Sequence, residues 1–353
     1  MEKKIAPLLE KSSEVIRDCC LRNGAIVAAN SAKPYFPKEA KNYRFVWPRD
    51  AAYICMAADL LGMAVQERFF RWCATAQDFE ETGLFYEKYH INGTKAGAHF
   101  QPDQTGTLLF AIHEHYQRRE IPDDILRLVM RAAHGLCAVW EKDHFTPVTQ
   151  DVWEERLCFP DLKENFTYSL AACHGGLLCA NALVPHKKWL SVAHEMKNAL
   201  VKVKIPSFYR STGTLNDARI DASLLGLVWP FQCVKADEER MISTVEAMEE
   251  RIVTNFGVHR YEHDEYDGWM YEGIHRKKGA GYWPLLNFWM ALYWAERGDR
   301  GKALTYFNKA LDDVPQNNFI PEQIFHNTIQ VSVSPLGWSH AMFVIASKKL
   351  GFF

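Results

Sequence analysis

Apolar positions along the 353-residue chain recur at helical rather than strand spacing, and they do so in two alternating forms. Over 5–21, Ile5, Leu8, Leu9, Val15, Ile16 and Cys19 mark one stripe of an amphipathic helix, and Gly24 stops it. The run 51–61 is instead apolar nearly all round, as expected of a helix enclosed by protein. The alternation then repeats. Stretches apolar on most faces fall at 51–61, 107–113, 168–183, 222–231, 283–294 and 336–346. Amphipathic neighbours fall at 5–21, 65–79, 125–140, 189–203, 241–253 and 303–311, and few segments read as strand. The simplest packing of this order is all-α: an (α/α)6 barrel of six mutually parallel inner helices wrapped by six outer ones, in a single domain spanning 1–353.

Parallel inner helices place all their N-terminal ends at one mouth of the barrel, so the loops before them should line a single cavity. The polar motifs sit in those loops. Trp47-Pro48-Arg49-Asp50 precedes the first inner helix, Gln101-Pro102-Asp103-Gln104 the second and Trp153-Glu154-Glu155-Arg156 the third. The stretch 217–221 precedes the fourth, Gly279-Ala280-Gly281 the fifth, and Glu322-Gln323 with Trp338 flanks the sixth.

The stretch Asp151 to Arg156 sets two carboxylates between an aromatic and a guanidinium, just before an apolar helix. A carboxyl packed against an indole is desolvated, and its pKa rises until it can donate a proton near neutral pH. Glu154 is the candidate acid. Breaking a glycosidic bond takes a second carboxylate across the sugar ring, and Glu322 is the best candidate for it. Arg49 and Asp50 pair a donor fork with an acceptor, which suits vicinal hydroxyls. Each motif also has an ordinary explanation: acids before a helix complement its dipole, an Arg-Asp pair is commonly a surface ion pair, and Gln101, Asp103 and Gln104 could form a cap. Arg260 is a candidate cavity residue by the same competition, since a scattered Arg is usually solvated.

Charge and composition narrow the partners. With 41 basic and 43 acidic residues the net charge is -2, which argues against nucleic acid or an anionic membrane and leaves a neutral substrate. Eleven Trp and 14 Tyr add flat faces on which sugars stack. Nine Cys with no CxxC pair, mostly inside apolar runs, read as reduced core residues. The N-terminus lacks the apolar stretch of a signal peptide or membrane span, so a cytoplasmic location is expected. No metal or other cofactor is expected. His259 and His263 lie in an acidic, loop-like segment without an HExxH pattern, and no phosphate-binding glycine loop or GxSxG elbow occurs.

Taken in order over 43–343, the motifs resemble glycoside hydrolase family 15, the glucoamylases with their glucodextranase and trehalase relatives. The segment Tyr43 to Asp50 is similar to the family's W-x-R-D element, whose Arg and Asp bind the non-reducing-end glucose, and Gln101-Pro102-Asp103 to its second sugar-binding element. Trp153-Glu154-Glu155 is similar to the element whose first Glu is the general acid and whose second contacts substrate. Glu322-Gln323 is similar to the one carrying the general base, and Trp338 to the aromatic that follows. The resemblance implies an (α/α)6 barrel and an inverting, exo-acting α-glucosidase that releases β-glucose from soluble malto- or isomalto-oligosaccharides. Glu154 would be the acid and Glu322 the base. Trp47, Arg49, Asp50, Gln101, Asp103, Trp153, Glu155, Arg260, Gln323 and Trp338 would bind substrate. Many prokaryotic members carry an N-terminal β-sandwich, and neither that nor a starch-binding module is expected here. The rival expectations are an α,α-trehalase using the same carboxylates and a non-catalytic regulatory barrel, for which both carboxylates would be unnecessary.

Overall fold

The computed structural model describes residues 2–202, 206–268, 280–326 and 330–353. Residue 203, the expected end of one outer helix, and Gly279 of the expected turn lie outside them. The helices are α1 (Glu2–Cys19), α2 (Pro48–Leu60), α3 (Gln66–Cys73), α4 (Phe79–Thr82), α5 (Pro102–Tyr116) and α6 (Asp123–Ala138). They continue as α7 (Thr167–Leu183), α8 (Lys187–Val201), α9 (Glu239–Arg251), α10 (Pro284–Glu296), α11 (Arg300–Asp313) and α12 (Gly337–Lys349).

The helices apolar on most faces form the inner layer, and they close a ring. Helix α2 packs on α5, α5 on α7, α10 on α12 and α12 back on α2, while a short 3-10 segment bridges α7 to α10. Outer helices cover this ring: α1 lies on α12 and α2, α6 on α5 and α7, α8 on α7 and α11 on α10. Three inner helices start on one local signal, an extended residue followed by proline at the first helical position: Trp47-Pro48, Gln101-Pro102 and Trp283-Pro284. Proline there forfeits no hydrogen bond, because that N–H has no partner within the helix anyway.

Three local expectations are corrected. At 222–231, expected as the fourth inner helix, the chain forms only the 3-10 turn Ala222–Leu227. Pro230 can neither donate to the carbonyl of Gly226 nor fit beside it in an α-helix, and it disfavours helical backbone at Trp229. The helix expected over 65–79 stops at Cys73, and Asp78 takes a left-handed φ of 65° before the single turn of α4. The third correction concerns the acid. Asp151 to Arg156 does not abut a helix but forms the tip of a hairpin between strands Thr149–Gln150 and Leu157–Cys158. A 3-10 turn (Pro160–Leu162) and strand Asn165–Phe166 intervene before α7.

Helices α5 and α7 cross at glycine contacts. A Cβ on Gly106 would lie 2.4 Å from the Ala172 carbonyl oxygen, and one on Gly176 2.4 Å from that of Gly106. Neither backbone can yield without parting two inner helices. Gly106→Ala is therefore expected to destabilise the fold by about 1–3 kcal/mol, visible as a lower urea midpoint at unchanged slope; an unmoved midpoint would show that the crossing is looser than described. All nine cysteines are free thiols, seven of them buried. No described helix is long and apolar enough to cross a membrane.

Candidate active site

The N-terminal ends of α2, α10 and α12 surround a cavity of about 750 Å³. Trp47, Arg49 and Asp50 come from α2, Trp283 from α10, Leu336 and Trp338 from α12. The hairpin tip adds Val152 to Glu155, and connecting segments add Lys41, Tyr43, Phe45, Lys88, Arg260, Tyr266 and Glu322. Both expected catalytic carboxylates thus line one cavity.

Glu154 reaches it through an unusual backbone. Its φ is +64°, a left-handed conformation that costs a non-glycine residue free energy and persists only where neighbours impose it. Here the buried Asp151 imposes it. One Asp151 carboxylate oxygen accepts from the backbone N–H of Glu155 at 2.7 Å and of Arg156 at 3.0 Å, and the Asp151 carbonyl accepts from the Glu154 N–H at 3.1 Å. The tip is so tied that Glu154 turns inward. Trp47 Nε1 donates to Glu154 Oε1, so the indole beside the acid is Trp47 and not Trp153, as the sequence order suggested. Trp153 instead donates to Asp221 Oδ1 at 3.0 Å while its ring faces Trp283 edge-on.

Burial pushes the Glu154 carboxyl up to about 7, a rise that the Lys88 cation partly opposes and the Glu87 carboxylate reinforces. Lys88 Nζ stands 3.5 Å from Glu154 Oε2.

Glu322 lies across the chain order, held by different elements. It is buried, and Tyr43 Oη donates to its Oε1 at 2.8 Å, with Tyr266 Oη 3.0 Å from Tyr43 Oη. Its Oε2 is equally buried and has no hydrogen-bond partner among the described residues. Burial raises this carboxyl too, to about 7, against the Tyr43 hydrogen bond and the charges of Arg260 and Lys41. That rise makes stability depend on pH. Because the folded-state value lies above the ordinary 4.5, the folded state holds the proton more tightly than the unfolded chain. The resulting stability is complete below about pH 4.5 and is lost as pH rises through about 7. Glu322→Gln cannot ionise, so it should gain on wild type by on the order of 1–3 kcal/mol between pH 4.5 and pH 8. Urea melts at both pH values measure it, and an equal difference at the two would refute the buried, high-pKa carboxyl.

Arg49 and Asp50 form the floor. Arg49 Nη1 donates to Gln101 Oε1 at 3.2 Å and Asp103 Oδ2 at 3.1 Å, its Nη2 stands 3.3 Å from Asp50 Oδ1, and its guanidinium lies 5.2 Å from the Trp338 ring centre. Burial raises Asp50 to about 6, against the pull of Arg49. Gln101 and Asp103, expected at the sugar, do not line the cavity: they sit behind Arg49, fully buried, and fix its direction. Gln323 is likewise turned away, its Oε1 accepting from the Gly281 N–H at 2.9 Å. Arg260, which sequence alone could have left in solvent, is buried in the cavity wall. It donates to Glu155 Oε1 and Asp264 Oδ1, both at 2.7 Å. The other Glu155 oxygen accepts from Tyr261 Oη. Of the two histidines read as solvated, His263 is exposed and His259 half-buried. No group of His, Cys, Asp and Glu among the described residues has the arrangement to hold a metal ion.

Several lining residues carry no sequence signal of their own. Tyr43 lay within the aromatic-rich motif, yet nothing marked its hydroxyl as a partner for a residue 279 positions away. In the loop 80–100, Lys88 lines the cavity, and no motif marks it. Lys41, Tyr266 and Trp283 were equally unmarked.

A family model described as glycosyl hydrolases family 15 matches residues 63–348. The chain belongs to that family. An uncharacterized glycosyl hydrolase of Methanocaldococcus jannaschii is 30% identical over 97% of this chain, and the chain spans 55% of that relative's length. Isomaltose glucohydrolase of Kribbella flavida is 25% identical over 92% of this chain and 89% of its own, and a trehalase of Mycobacterium tuberculosis 23% identical over 79% and 44%. Among solved structures, a wild-type glycosidase superposes with a TM-score of 0.78 at 23% identity, covering 100% of this chain and 98% of that one. A bacterial glucoamylase complexed with acarbose gives 0.76 at 20% identity over 97% and 55%. These likenesses, with the ring of helices, make the fold of this family 15 member an (α/α)6 barrel.

Proposed function

We propose that this family 15 glycoside hydrolase is an inverting, exo-acting α-glucosidase, releasing β-glucose from non-reducing ends of short soluble malto- or isomalto-oligosaccharides. The observation that carries it is the pair of carboxyls facing one cavity floored by Arg49 and Asp50: Glu154, raised by burial to about 7 as suits a proton donor, and Glu322, whose hydrogen bond from Tyr43 favours its ionised form. Protonated Glu154 donates to the leaving oxygen as the C–O bond breaks, and that oxygen keeps the bonding electron pair. On the other face of the sugar, Glu322 takes a proton from water as the water oxygen bonds to the anomeric carbon. The asymmetry of Glu322 suits a base. One oxygen is fixed by Tyr43, and the other is buried without a partner among the described residues, able to receive that proton.

Arg49, Asp50, Arg260 and Glu155 supply charged donors and acceptors for sugar hydroxyls, and Trp47, Trp153, Trp283 and Trp338 supply flat faces. For linkage, the matched span favours isomaltose or maltose over trehalose: the isomaltose glucohydrolase pairs with this chain over 89% of its length, the trehalases over 42–45% of theirs. Purified protein should therefore release glucose from isomaltose or maltose faster than from trehalose, assayed side by side with maltotetraose. Trehalose as the fastest substrate would replace this reading with the trehalase one.

A further inference from the structure

Lys88 and Glu87 sit in a loop that bears no sequence motif, yet the fold clamps that loop to the acid. Val46 and Tyr89 exchange both backbone hydrogen bonds, at 2.8 and 2.9 Å, which fixes the residue before Trp47 to the residue after Lys88. Trp47 and Lys88 consequently reach Glu154 from the two clamped segments, one on each carboxyl oxygen. Lys88 Nζ lies 5.2 Å from the Trp47 ring centre, over its face. Behind it, Glu87 is buried and its Oε1 stands 2.6 Å from Lys88 Nζ, while His99 Nδ1 approaches its Oε2 at 3.5 Å from the solvent side. The neighbouring backbone is shaped around this carboxylate: a Cβ on Gly97 would fall 2.7 Å from the Glu87 carboxyl carbon.

Resting on the function proposed above, we propose that Glu87 and Lys88 form a positioning pair for the proton donor. Lys88 stabilises the Glu154 carboxylate as its proton leaves, and Glu87 holds Lys88 in place while limiting that stabilisation. Glu87 also interacts directly with the Glu154 carboxyl, and its carboxylate favours the protonated acid. A cation at Lys88 favours ionised Glu154, and the Glu87 carboxylate disfavours it. Other charged or titratable groups around Glu154 are Arg49 from α2, Lys41, Tyr43 and Tyr266 from the segments on the Glu322 side, and Glu322 itself in the same cavity. None of these changes when Lys88 or Glu87 is replaced.

The test is the alkaline limb of kcat/KM against pH, which reports loss of the acid's proton. Lys88→Met keeps an unbranched side chain of similar length but removes the charge, so the limb on isomaltose or maltose should move up by about one pH unit. Glu87→Gln should move it down by a similar amount, and Lys88→Arg should restore it towards wild type. On α-glucosyl fluoride, whose leaving group needs no proton, none of the three variants should shift the profile. Opposite shifts confined to the oligosaccharide support the pair. A uniform loss of kcat with both limbs in place, or shifts of the same sign, would reduce it to scaffolding and overturn the proposal. A wild-type enzyme inert on every α-glucoside and on the fluoride would instead bring down the function itself, an outcome separable from an active enzyme whose limb does not move.

Discussion

Glu154→Gln should lose on the order of 10² to 10⁴ in kcat on oligosaccharides yet keep substantial activity on α-glucosyl fluoride, while Glu322→Gln should be poor on both. The reasoning follows from what each carboxyl must do. An acid is needed only where the departing oxygen has to be protonated, and fluoride leaves without that help. A base is needed for every substrate, because water always has to be activated. Glutamine keeps nearly the volume of the carboxyl and can still accept at Oε1, so the Trp47 and Tyr43 contacts survive and a collapsed site does not explain the loss. The first product, followed by NMR before mutarotation, should be the β-anomer. The reverse pattern between the two variants would exchange acid and base, and α-glucose as first product would replace inversion by retention.

The sequence was informative where local chemistry and helical period agreed. Apolar positions all round α2, α5, α7, α10 and α12 marked the inner layer, so the barrel and its mouth were legible. It misled where a local signal was overridden. The stretch 222–231 is as apolar as its neighbours, and a single proline near its end outweighs that pattern. Charge-bearing motifs showed which residues gather, not which of them face the cavity. Gln323 shares a motif with the cavity residue Glu322, and Gln101 and Asp103 lie in a motif none of whose residues lines the cavity; at the start of a helix or in an extended stretch successive side chains point in different directions, and these three point into protein. Tyr43 with Glu322, and Lys88 with Glu154, are partners made by ring closure and by the Val46–Tyr89 bridge, and no spacing along the chain encodes either.

The same distinction separates Arg49 from its neighbour Asp50, although both line the cavity. Arg49 is the cation between two buried carboxylates, with Asp103 behind it and Asp50 beside it. Removing one partner from a buried ion cluster leaves charge with no compensation, which costs about 3–5 kcal/mol. Arg49→Ala should therefore lose about that much stability in urea melts, as well as activity, and its kinetics alone cannot report on sugar binding. Asp50→Asn is the cleaner probe. Arg49 keeps Asp103, the side-chain shape is retained, and the substitution removes a carboxyl whose ionisation burial already opposes, its pKa lying at about 6. The variant should hold wild-type stability to within about 1 kcal/mol or exceed it at pH 8, yet lose at least about tenfold in kcat/KM for each charged hydrogen bond that the sugar forfeits. If Arg49→Ala melts like wild type, Arg49 does not carry the charge balance of the floor. If Asp50→Asn hydrolyses oligosaccharides like wild type, the terminal sugar is held somewhere other than the floor formed by α2.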